Sequence, residues 1–84
     1  MKLIKISAMW CPACLIMRPI LNNLDIDIEQ VEYDYDLDED VVNQYNVGEI
    51  LPVFILVDND KEIARLVGEH SKDEVLDFLK GWIK

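Results

Sequence analysis

Apolar residues fall in two rhythms along this chain, one of period two and one of three to four. Together they divide it into seven stretches. Leu3, Ile4 and Ile6 make residues 2–7 a short buried strand. From Pro12 onward Leu15, Ile16, Pro19, Ile20 and Leu24 recur at helical spacing, so a helix is predicted that ends near Leu24. Pro12 suits its first turn, where a missing N–H costs nothing, and Pro19 should kink it. Residues 28–34 alternate and read as a strand with one wetter face. Asp36 or Asp38 is placed to cap a second helix that runs to about Tyr45 and ends near Asn46 or Gly48. Pro52–Val57 is a continuous apolar run, as a central strand covered on both faces requires. A turn over Asp58-Asn59-Asp60-Lys61 leads into a strand from Glu62 to Val67, short enough to force a hairpin. Ser71 with Glu74 three residues later has the form of a capping box. It opens a final helix whose apolar face is Val75, Leu76, Phe78, Leu79, Trp82 and Ile83.

The order is β-α-β-α-β-β-α, an α/β chain with a four-stranded mixed sheet and three helices on both faces. The first βαβ unit must be parallel and right-handed. At 84 residues there is room for a single domain spanning 1–84, burying roughly 60% of its unfolded surface. Seventeen acidic against eight basic residues give a net charge of −9. That balance argues against nucleic acid and anionic membranes as partners. The start of the chain carries a charge within its apolar stretch, unlike a signal peptide, and no stretch is long enough to span a membrane. The expected setting is cytoplasmic.

The chemistry concentrates in Cys11-Pro12-Ala13-Cys14, preceded by Trp10. These two cysteines are the only ones present. Two thiols at this spacing can close a small disulfide ring and reopen it, and a C-x-x-C after a strand and before a helix is the redox form of the motif. The thiolate is the nucleophile in such exchange, and a helix N-terminus lowers a thiol pKa. Cys11, just ahead of the helix, should attack, and Cys14, one turn in, should resolve. A metal site needs further ligands. His70 is the lone histidine, and reads as a surface residue near a helix start. Trp82, Tyr33 and Tyr35 read as packing residues, with Tyr35 near the site.

The chain resembles the thioredoxin family over nearly its whole length. Trp10-Cys11-x-x-Cys14 matches that family's active site, as does Pro19 with Ile20 and Leu21. Tyr45 and Ile50-Leu51-Pro52 match the segment ending in its cis-proline, Gly68 its groove glycine, and Ser71-Lys72 the start of its last helix. The family's N-terminal strand and helix are missing, a layout shared with glutaredoxins and small archaeal thioredoxins. The resemblance implies a minimal thioredoxin-like fold and a monomeric thiol-disulfide oxidoreductase with no bound cofactor. Its partners would be disulfide-containing proteins and a thioredoxin-reductase-like enzyme, with electrons from NADPH through that flavin reductase. It also implies that Pro52 is cis against the cysteine pair and that the Leu51 backbone docks substrate. Trp10, Pro12, Ala13, Ile50, Leu51, Pro52, Gly68 and Glu69 would line the groove.

Two departures stand out. Glu69 occupies a position that is usually small and apolar, which favours a basic partner. Lys5 stands where the family holds a buried aspartate, with Glu32 at the position of that aspartate's lysine companion. An inverted pair is the expectation, with Lys5 and Glu32 facing each other under Cys14 as a candidate proton relay. Ordinary sheet-edge charges are the alternative. Three further functional readings stay open: a glutathione-dependent glutaredoxin-like reductase, a redox-inert peptide-binding module and a metal-binding module. The single glycine of Gly68-Glu69-His70-Ser71 and the carboxylate beside it weigh against glutathione.

Overall fold

In the computed structural model, which describes residues 1–82, the chain forms four strands and four helices. The strands are β1 (Lys2–Ser7), β2 (Glu29–Asp34), β3 (Val53–Asp58) and β4 (Lys61–Val67). The helices are α1 (Pro12–Ile16), α2 (Arg18–Asn22), α3 (Glu39–Gln44) and α4 (Lys72–Lys80). The sheet order is β2-β1-β3-β4, with β1 parallel to β2 and both remaining pairs antiparallel. This is the expected mixed sheet.

One helix more is present than the sequence predicts, because the first divides at Met17. Pro19 has no N–H to offer the Leu15 carbonyl, and its ring crowds that oxygen. The buried side of the divided segment also differs from the predicted one. Cys14, Met17, Leu21 and Leu24 point inward, whereas Leu15 and Ile16 are exposed. Both sets fit helical spacing, so periodicity alone could not choose between them.

Strand alternation separates two apolar layers. Ile4, Ile6, Val53 and Ile55 pack with Val42 of α3 on one face of the sheet. Leu3, Phe54 and Leu56 pack on the other with Met17, Leu21, Val75 and Leu79, from the α2 side and α4. The β3–β4 hairpin turns through Asn59 and Asp60, at φ 52° and 64°. Two successive positive φ values make the primed turn that suits strand twist, and Asn and Asp tolerate it. The predicted capping box of α4 is present, with Ser71 and Glu74 each accepting the other's backbone N–H. Trp82, expected in the core, is 47% exposed beyond the end of α4. Ile83 lies outside the described residues.

Asp38 is the N-cap residue of α3, one of the two predicted positions, but its side chain makes no capping bond to the helix. Its carboxylate accepts the Asp34 N–H at 2.8 Å, while the Asp34 carboxylate accepts the N–H groups of Asp36 and Leu37. The acidic run is thus a tight loop built by its own carboxylates. Asp36, the other predicted cap, holds Trp10 instead.

Candidate active site

All four strands deliver residues to one end of the sheet. β1 and β2 finish there, β3 starts there with Leu51-Pro52 just ahead of it, and β4 finishes at Gly68. Cys11 is the N-cap of α1, with extended backbone at φ −87° and ψ 115°. Pro12 follows in the first turn as predicted. The Cys11 Sγ accepts the Cys14 N–H at 3.2 Å, so an otherwise unpaired helix donor points at the sulfur. The same Sγ lies 3.6 Å from the Leu51 carbonyl. The Leu51–Pro52 bond is cis.

Both cysteines are free thiols, Cys11 5% exposed and Cys14 fully enclosed. Burial pushes the Cys14 thiol up to about 11, and its hydrogen bond with Cys11 adds to the rise. The Ala8 backbone and the positive charge of Arg18 pull in the opposite direction.

The residues predicted to line a groove converge here. Pro52 O accepts the Gly68 N–H at 2.9 Å, which ties the end of β4 to the start of β3. Gly68 has φ 91°, and a Cβ there would stand 3.3 Å from Ile50 Cγ2. A glycine relieves both constraints. Leu51 and Pro52 are buried, Ala13 is half-buried, and Pro12, Ile50, Trp10 and Glu69 are exposed. Trp10 is fixed from two sides. Its indole N–H donates to Asp36 at 2.7 Å, and its ring meets Tyr35 edge to face at 5.9 Å. Asp36 was not among the sequence-predicted site residues, since nothing in an acidic run marks which carboxylate reaches a distant indole.

Lys5 and Glu32 are neighbours in the β1–β2 register, yet they do not bond to each other. The buried Lys5 ammonium donates to the Leu21 carbonyl at 2.6 Å and to Gln30 Oε1 at 3.1 Å. A cation there meets a carbonyl in the last turn of α2, where the helix dipole is negative. Burial pulls the Lys5 pKa below the usual lysine value, and Glu32 partly offsets this. Glu32 is exposed and ion-pairs with Arg18 at 3.0 Å. The expected Lys5–Glu32 pair is therefore replaced by two separate contacts. Arg18 was not singled out from sequence, although its place four residues after Cys14 could have flagged it.

His70 is half-buried before α4, with Nε2 3.1 Å from the Val67 carbonyl. Among the described residues no group of three or more His, Cys, Asp or Glu side chains could hold a metal ion. No helix among them is long and apolar enough to cross a membrane.

Comparison with known proteins gives a consistent result. The family model described as Thioredoxin matches residues 1–81. Thioredoxin H5 of Oryza sativa subsp. japonica is 37% identical over 73 residues, covering 83% of this chain and 53% of that protein. The chain thus spans about half the length of that relative. Thioredoxin of Chlamydia trachomatis serovar D is 32% identical over 80 residues, covering 92% of this chain and 78% of the relative. Among solved structures, thioredoxin NaTrxh of Nicotiana alata superposes with a TM-score of 0.87 at 29% identity, over 99% of this chain and 73% of that one. Reduced Schistosoma mansoni thioredoxin pre-protein gives 0.86 at 28% identity, over 98% and 78%.

Proposed function

The chain belongs to the thioredoxin family, and from that premise we propose that it is a single-domain thiol-disulfide oxidoreductase that reduces protein disulfides. The observation that carries this reading is the setting of Cys11. Its sulfur caps a helix N-terminus and lies 3.6 Å from the carbonyl that precedes cis-Pro52.

In the forward direction the Cys11 thiolate attacks one sulfur of the substrate disulfide. A Cys11–substrate bond forms, the substrate S–S bond breaks, and the other substrate sulfur leaves and is protonated. Cys14, deprotonated, then attacks Cys11 Sγ. The Cys11–Cys14 bond forms and the second substrate sulfur is released and protonated. Two electrons and two protons have passed to the substrate. The order follows from access, since Cys11 has some exposure and Cys14 has none.

Substrate docks as an extended segment along Leu51-Pro52, between Trp10 and Ile50 on one side and Gly68 and Glu69 on the other. The protein works as a monomer in a reducing compartment such as the cytoplasm, with no bound cofactor. NADPH, through a flavin-dependent thioredoxin-reductase-like enzyme, returns the pair to the dithiol. Insulin reduction tests this. The dithiothreitol-driven assay should be catalysed, and NADPH with thioredoxin reductase should replace dithiothreitol. Turnover only with glutathione and its reductase would make the chain glutaredoxin-like. No turnover with any donor would leave a binding module.

A further inference from the structure

The Arg18–Glu32 pair stands beside the exchange site without a part in the steps above. Cys14 and Arg18 are four residues apart, a spacing that puts both on one helical face. Met17 divides the helix between them, yet the path continues. Met17 N–H donates to the Ala13 carbonyl at 2.9 Å and the Met17 carbonyl accepts from Leu21 N–H at 2.8 Å. From that face Arg18 reaches β2 and meets the Glu32 carboxylate. The two line an open cleft of about 300 Å³ with Ser7, Tyr33, Asp34 and Asp38. Glu32 is also the register partner of Lys5. The charges therefore alternate, Lys5 inside on β1, Glu32 next on β2, and Arg18 last, at the start of α2, the helix that follows the one carrying Cys14.

We propose that the Arg18–Glu32 pair sets the speed of the second exchange step, with Arg18 the positioning cation for the Cys14 thiolate and Glu32 a brake on it. The proposal rests on the exchange reading above. In that step Cys14 must give up its proton before its sulfur can bond to Cys11 and expel the substrate sulfur. A positive charge nearby favours the thiolate, and a carboxylate bonded to that charge cancels part of its field. Other ionisable groups of the neighbouring elements have contacts of their own. Lys5 on β1 is turned to Leu21 and Gln30, and Cys11 shares a hydrogen bond with Cys14. Asp34 on β2 and Asp38 ahead of α3 bond backbone N–H groups of their own loop. Among the described residues Arg18 is the one side-chain cation that lowers the Cys14 pKa, the smallest of the influences on it.

A fall of one unit in that pKa gives about ten times more thiolate, and the weaker nucleophile leaves about a threefold gain in rate. Near neutral pH Cys14 stays protonated in the reduced protein in every variant, so the reduction potential there should not move. A change of rate without a change of potential separates a field on the thiolate from a distortion of the site.

Stopped-flow reaction of the reduced protein with 5,5′-dithiobis(2-nitrobenzoate) resolves the two steps. The first thionitrobenzoate reports attack by Cys11 and the second reports closure by Cys14. The ratio of second to first rate constant should rise about threefold in Glu32→Gln and fall about threefold in Arg18→Met. It should return to the wild-type value in Arg18→Lys, and Glu32→Gln should add nothing on top of Arg18→Met. A ratio unchanged in both single variants, or moved in the same direction by both, overturns the proposal. A shifted potential near neutral pH overturns it also. A wild-type protein with no first phase would instead defeat the exchange reading, and this proposal with it.

Discussion

Cys14 and Lys5 are the two buried titratable groups whose shifts oppose each other in stability. The Cys14 thiol is raised to about 11 from 9.0, so the folded state holds this proton more tightly than the unfolded chain. Its contribution is complete below 9.0 and disappears as pH climbs to about 11. Lys5 is lowered from 10.5, so here the unfolded chain holds the proton more tightly. Stability from this group therefore grows as pH rises through the folded value toward 10.5. Denaturant unfolding of the reduced protein across alkaline pH should show both. Cys14→Ala should remove the alkaline loss. The wild-type minus Lys5→Met difference should grow as pH rises toward 10.5. A difference that shrinks with pH would contradict the burial of the Lys5 ammonium. At this scale the cysteine spacing disclosed the candidate thiols, because a C-x-x-C is a local pattern. The partners of Lys5, Glu32 and Trp10 were not legible, since each lies many positions away along the chain and is selected by packing.

The elements differ in how far their sequence determines them. β3 was legible because an unbroken apolar run allows no wet face, and Phe54 and Ile55 are both fully buried on opposite sides. α4 was legible because Ser71 and Glu74 are the capping box itself. Ser71→Ala should cost about 1 kcal/mol of stability, measurable by thermal or denaturant unfolding. The α1–α2 segment was less legible. Its sequence offers two apolar stripes, and only the sheet beneath selects the one that contains Cys14, Met17 and Leu21. Gly68 joins the end of β4 to the site. With φ 91° and Ile50 at 3.3 Å from a would-be Cβ, Gly68→Ala should cost about 1–2 kcal/mol and displace Ile50 from the groove. Unchanged stability and unchanged insulin reduction in that variant would contradict the role given to this turn.

The whole molecule is a four-stranded sheet whose strand ends lie together at the site, with one thiol capping a helix N-terminus and a second sealed behind it. Two apolar layers back the sheet, and Trp10, Ile50, Leu15 and Ile16 are exposed. Net charge is −9 and Glu69 is exposed, so on the proposed reading partners carrying cations near their disulfide should be favoured. Raising ionic strength should therefore weaken reduction of basic disulfide substrates more than of neutral ones, read as kcat/KM. In the proposed exchange Cys11 attacks and Cys14 resolves. Intact-mass analysis of Cys14→Ser and Cys11→Ser proteins after reaction with a disulfide substrate tests it directly. A stable adduct is expected on Cys11 in Cys14→Ser and none in Cys11→Ser. An adduct on Cys14 in Cys11→Ser with none in Cys14→Ser would contradict it.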